Sequence, residues 1–304
     1  MHASYTLTGH SFLRVEDDSA PVMVFVNPDA AEKRQLVEEF KLDEHTLSSA
    51  LDPDELPRLE FEPEHVAVIF KRPRNYSGRE QFLFKVASVG AFVFEDKLIM
   101  VTSEDLPPFE GMRPGRVRSP LDLLFQLVYR SITHFREHLK VFSMISDEMQ
   151  DRINTAMENR YLINLFTLEK SMVYYLYAIT SNGMLIEKLK ANAAKMRLTT
   201  EQAEFLDDVL IENTQCSKQA EIYSNILAGL MDARASVVSN NLNVLMKTLN
   251  IITICIMVPT LVVSTFSMNV QIPFQKNPYA FWIILSLTLF SAGVVMSFWR
   301  YKKW

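Results

Sequence analysis

Polar or sulfur-bearing residues recur at Asn243, Met246, Asn250, Thr253, Met257, Thr260, Ser264 and Ser267, at intervals of 3, 4, 3, 4, 3, 4 and 3. That heptad spacing is close to the helical period, so these side chains fall along one face of a helix. The positions between them are mostly Leu, Ile and Val, and from Thr248 to Gln275 there are 28 residues without a charge. A membrane-spanning helix needs about 20 predominantly apolar residues. Hydroxyls and amides cost free energy in hydrocarbon unless they find partners or water, so the stripe turns inward. Two readings explain it equally well by itself: helix–helix glue by Ser, Thr and Asn, or the lining of a wet pore. Asn277 to Trp299 is a second uncharged run, of 23 residues, beyond a short turn with Pro273, Lys276 and Pro278. The pair predicts a helical hairpin across a bilayer.

Basic residues set its orientation. Lys247 precedes the first run, Arg300, Lys302 and Lys303 follow the second, and the intervening loop holds only Lys276. Positive residues favour the cytoplasm, which predicts two cytoplasmic termini and an outer loop, in a multi-pass protein of the inner or plasma membrane. Tyr279, Trp282, Trp299 and Trp304 suit the interfacial aromatic belts. His2 to Asp18 has no apolar run of the kind a signal peptide needs. Cys216 falls in a soluble helix and Cys255 in a span, so no disulfide between them is expected.

Upstream, residues 1–118 predict a mixed α/β domain. Pro21 to Val26 reads as a strand, Asp29 to Phe40 as a helix with Asp29 as N-cap and Glu32 three residues on, and Asp43 to Leu51 as a second short helix. His65 to Lys71, Gln81 to Val89, Ala91 to Glu95 and Lys97 to Thr102 read as strands, with a hairpin at Ser77-Gly78. The acidic turn at Asp52, Asp54 and Glu55 reads as a solvated loop rather than a cation site. From Leu121 to Val258 there is no proline. Residues 119–247 predict a stalk of long helices, at roughly 120–158, 162–196 and 200–266, with Ser119 capping the first. Thr199 and Gln202 form a capping box for the third, and Asn182-Gly183 is a candidate kink in the second. A helix as long as the third cannot bury itself alone and implies a bundle or an oligomer.

Composition narrows the function. Charged residues make up 22% and net charge is −5, which argues against a nucleic-acid partner. The α/β domain contains no glycine-rich phosphate loop, nucleophile elbow or Cys/His zinc pattern, so neither an enzyme nor an organic cofactor is expected. His134-Phe135-Arg136-Glu137-His138 matches the H-x-x-E-H spacing of some zinc peptidases. With Arg130, Arg136 and Lys140 around them, the two histidines read as surface residues of a charged helix.

At the outer end of the first run stands Phe266-Ser267-Met268-Asn269, and the chain closes on Tyr301-Lys302-Lys303-Trp304. With Ser239 to Lys247 leading into the membrane and Asp52 to Glu60 upstream, this resembles the CorA family of divalent-cation transporters. That family carries Tyr/Phe-Gly-Met-Asn at this point. The resemblance implies a homopentameric CorA-like funnel: a cytosolic α/β domain over 1–118, a stalk over 119–247, and a transmembrane hairpin over 248–304 with its outer loop at 267–278. It implies a channel passing Mg²⁺, or Co²⁺, Ni²⁺ or Zn²⁺, passively down the membrane potential. Asn269 would form a selectivity ring with Ser267 and Met268. Asn243, Met246, Leu249, Asn250, Thr253, Met257, Thr260 and Ser264 would line the pore, with Met246 and Leu249 as its apolar gate. Asp232 would hold a regulatory Mg²⁺ between subunits. Ser267 departs from the family's glycine, and Gly permits backbone conformations that Ser adopts only with strain. That departure leaves a second reading, a non-conducting CorA-like membrane scaffold that binds a partner protein.

Overall fold

Period-2 alternation with both faces apolar builds the first half of the chain. The computed structural model describes residues 2–8, 11–15, 20–75, 83–104, 109, 117–155, 159–270, 273 and 277–302. Its strands are β1 (His2–Thr8), β2 (Ser11–Val15), β3 (Val22–Val26), β4 (Arg58–Phe61), β5 (Val66–Pro73), β6 (Val86–Val93) and β7 (Leu98–Thr102). They form one seven-stranded sheet in the order β2-β1-β3-β7-β6-β5-β4. β3 and β7 pair in parallel, and the other neighbours are antiparallel.

The helices are α1 (Ala30–Glu38), α2 (Glu44–Leu51), α3 (Pro120–Thr155), α4 (Asn159–Ala191), α5 (Thr200–Phe266) and α6 (Ala280–Lys302). One face of the sheet, with Met23, Phe25, Ile69, Phe92, Ile99 and Val101, packs on Leu36 and Leu47 of α1 and α2. The other, with Val22, Val24, Val68, Phe70, Val89 and Met100, packs on α3, α4 and the first part of α5. Burial on both faces is why these strands read as near-continuous apolar runs.

The caps hold. Asp29 accepts from the N–H groups of Ala31 and Glu32 while Glu32 returns a bond to Asp29 N–H, closing the capping box of α1. Asp43 caps α2 through Thr46 N–H, and Thr199 and Gln202 exchange bonds at the start of α5.

The strand reading needs three corrections. Gln81 to Val89 and Ala91 to Glu95 are not two strands: β6 runs unbroken through Gly90. A Cβ at Gly90 would stand 2.5 Å from Ala50 Cβ, so the glycine admits α2 against the sheet rather than ending a strand. β1 and β2 were not expected, because their mixed polar composition carries no local signal; β3 sets the register of β1, and β1 that of β2. β4, for which the sequence predicts no element, gains its place from β5. The expected Ser77-Gly78 hairpin lies outside the described residues.

The contacts divide the chain into Met1–Met231 and Asp232–Trp304. Leu123 to Phe142 of α3, Leu165 to Leu189 of α4 and Leu206 to Leu227 of α5 share a core with the sheet. The change of character at residue 118 is therefore a change of element type within one packed unit. The second unit contains the end of α5 and all of α6. Both helices are long and apolar enough to cross a membrane, and none of their most apolar stretches is buried.

Candidate functional site

On the second half of α5, Asn243, Met246, Leu249, Asn250, Thr253, Met257, Thr260 and Ser264 are all exposed, on a single unbroken helix. Met246 is 57% exposed, Leu249 58% and Met257 63%. The two threonines spend their protons internally: Thr253 Oγ1 donates to the Leu249 carbonyl at 2.9 Å and Thr260 Oγ1 to the Ile256 carbonyl at 2.7 Å. What each presents outward is an oxygen with lone pairs, an acceptor. Pro259, whose consequence the sequence reading passed over, sits inside α5 one residue before Thr260. Proline has no N–H, so the Cys255 carbonyl loses its helical donor, on the face of α5 away from the stripe.

α5 ends at Phe266, and Ser267 closes its last turn. Ser267 N–H donates to the Ser264 carbonyl at 3.2 Å, and its Oγ donates to the same oxygen at 2.9 Å. Among the described residues other than glycine, positive φ occurs at Asn27, Lys41 and Arg197. Ser267 therefore sits in ordinary backbone space, and the expected strain is absent. Its hydroxyl gives the helix terminus a donor that glycine lacks. Met268 and Asn269 follow, both exposed. The Asn269 amide makes no hydrogen bond among the described residues, leaving its oxygen available.

Asp232 is an exposed carboxylate on α5. Among the described residues no group of three or more His, Cys, Asp or Glu side chains could hold a metal. One carboxylate falls far short of the six oxygens Mg²⁺ requires, so a site here would need donors from water or another copy.

The H-x-x-E-H pair is placed differently from the surface reading. His138 is 8% exposed, its Nδ1 2.7 Å from the Tyr175 hydroxyl, and its ring stacks on Tyr175 and meets Phe84 edge-on. Burial pushes its pKa down to about 4. His134 is pushed down to about 3, first by burial and then by His138, Arg72 and Arg130. The amphipathic face of α3 explains this: His138 lies one turn from Phe135 and Phe142, on the side that meets α4.

The acidic turn also has a structural use. Lys71 is buried, and its Nζ donates to the Pro53 carbonyl and to Ser88 Oγ, which itself donates to the Asp52 carbonyl. Burial lowers the Lys71 pKa, while Asp52, Asp54 and Glu55 oppose the fall. The carboxylates are solvated as expected, but the turn's carbonyls cover a buried ammonium. Asn182, read as a candidate kink, lies within a continuous α4. Its side chain accepts from Lys71 N–H at 2.8 Å and donates to the Lys71 carbonyl at 2.7 Å.

The site is thus an exposed line of uncharged acceptors on an apolar helix, ending in an exposed amide. The family model for the CorA-like Mg²⁺ transporter protein matches residues 23–300. The chain belongs to this family. The cobalt/magnesium transport protein CorA of Methanocaldococcus jannaschii is 20% identical over 292 residues, 91% of this chain and 89% of that protein. The protein of the same name from Thermotoga maritima is 21% identical over 308 residues, 97% and 86%. The complete structure of the CorA magnesium transporter from M. jannaschii superposes with a TM-score of 0.84, covering 99% of this chain and 97% of that one at 19% identity. The fold is that of full-length CorA: an α/β unit, a long helix and two candidate C-terminal membrane helices. Membership places the chain among transporters rather than enzymes, in keeping with the structural roles of His134 and His138.

Proposed function

We propose that the protein is a homopentameric channel passing divalent cations, Mg²⁺ first, across a membrane down the electrical potential, with both termini cytoplasmic. The observation carrying this reading is the exposed stripe from Asn243 to Ser264, which leads to the exposed amide of Asn269. Five α5 helices would turn these stripes toward a common axis, with Met246 and Leu249 as an apolar constriction. The waters around Mg²⁺ point their hydrogens outward and need acceptors. Amide oxygens and the Thr253 and Thr260 lone pairs supply them without the tight grip of carboxylates. The C-terminal end of α5 adds negative potential near Asn269. A divalent ion moving inward across 100 mV gains about 4.6 kcal/mol, at roughly 2.3 per charge, so no ATP site is required. Asp232, by its place in the family's pattern, would bind a regulatory Mg²⁺ between subunits.

Flux into liposomes, comparing Mg²⁺, Co²⁺, Ni²⁺ and Zn²⁺ for wild type, Asn269→Ala and Ser267→Gly, tests the reading. Wild type conducts at least one ion, and Asn269→Ala abolishes uptake while the oligomer stays intact, since an exposed residue adds little to packing. Ser267→Gly preserves or increases uptake, because it removes the hydroxyl that ties the turn to Ser264. Uptake that survives Asn269→Ala ends the selectivity role. No wild-type flux for any ion leaves the scaffold reading.

A further inference from the structure

β5 and α3 bring three basic side chains to one small cavity. Arg72 comes from β5, and Arg130 and His134 lie one turn apart on α3; all three are partly buried. With Ser131, Asn75 and Glu137 they line a space of about 100 Å³. That volume holds a few waters or one small ion, not a nucleotide. Glu137 is the one carboxylate on the wall among the described residues, and it is exposed. The neighbouring arginines have found acids: Arg74 pairs with Glu104 and Arg136 with Glu212. Among the described residues, neither the Arg72 nor the Arg130 guanidinium has a hydrogen-bond or ion-pair partner.

Like charges converging in a half-buried space cost stability unless something neutralises them. Burial lowers the Arg72 pKa to about 10, with Glu104 opposing the fall and Arg130 adding to it. Even so, the Arg72 guanidinium stays charged at neutral pH. His134 is held neutral and keeps one ring N–H to donate. The frame is rigid: Ser131 Oγ donates to the Lys71 carbonyl at 2.6 Å, beside Arg72, and fixes α3 against β5. Two planar guanidinium forks and an imidazole N–H lining one small volume match an anion that carries several acceptor oxygens.

We propose that the Arg72–Arg130–His134 cavity binds a small tetrahedral oxyanion of the phosphate or sulfate kind, which ties β5 to α3 inside the α/β unit. The site is independent of the ion pathway on α5 and stands whether or not the protein conducts.

Thermal melting and calorimetric titration of the full chain in mild detergent test it, with inorganic phosphate, sulfate and chloride at constant ionic strength. A chelator removes Mg²⁺ so that phosphate does not act through the metal. Wild type shows saturable phosphate or sulfate binding and a rise in Tm of roughly 5 °C at high phosphate. Arg130→Gln melts no lower than wild type without phosphate, since it removes a repulsion, and loses the response. Arg130→Lys keeps the charge without the fork and shows a weakened response. A flat wild-type titration, an equal rise with chloride, or an undiminished response in Arg130→Gln overturns the assignment.

Discussion

At the scale of single residues, burial decides what a side chain does. His138 matched a metal-ligand spacing, yet its ring is stacked in an aromatic pocket and bonded to Tyr175. Its folded-state pKa of about 4 lies below the unfolded value of about 6.5. Between these values the unfolded chain binds more protons than the folded one. Its contribution is therefore full above pH 6.5 and is lost as pH falls toward 4. The α/β unit should lose at most about 3 kcal/mol through this group. His138→Leu should flatten the pH dependence of the melting temperature between pH 7 and 4.5, relative to wild type. Equal slopes in the two proteins would remove His138 from the acid sensitivity. Ser267 shows the same lesson: the glycine-to-serine change suggests strain, but the residue stays out of the left-handed region and caps α5 instead.

At the scale of elements, the long helices carry the stripe. A straight α-helix drifts about 20° per heptad against a 3.5-residue repeat, hence about 60° over the three heptads from Asn243 to Ser264. Five such helices keep their stripes on one axis by winding left-handed around each other. Asp232 lies 11 residues before Asn243 on this helix, about three turns. If a regulatory ion bound there holds the helices closed, Asp232→Ala raises flux at high internal Mg²⁺. Unchanged flux in a conducting protein would remove Asp232 from gating. The long helices and the caps at Asp29 and Thr199 were legible because periodicity, the absence of proline and the capping residues pointed the same way, although α4 spans Asn159–Ala191 rather than 162–196. β1, β2 and β4 were not, because their mixed polar composition shows no clear apolar alternation and only pairing with a neighbouring strand extends them. Gly90 looked like a break because the helix it admits is 40 residues away.

At the scale of the molecule, the Asp232–Trp304 unit leaves its most apolar stretches uncovered. Lipid covers the apolar positions, but the polar stripe of α5 needs either water or its own kind. A ring of copies related by rotation provides both. Native mass spectrometry in mild detergent should therefore give five copies, and a stable monomer or dimer would count against the pore.

The membrane hairpin, the stripe with Asn269 at its end, the helical stalk and the family likeness follow from the sequence by itself. Each rests on local regularity: run length, heptad spacing, or a short motif. The use of Asn182 to hold β5, the cover that the 52–55 turn gives Lys71, the burial of His138 and the meeting of Arg72 with Arg130 were decided only by the tertiary structure. These depend on which residues of β5, α3 and α4 come into contact. Contacts between residues about 20 to 110 positions apart leave no periodic trace along the chain. A polar residue whose partner is a backbone group on another element looks, in sequence, like any solvated one.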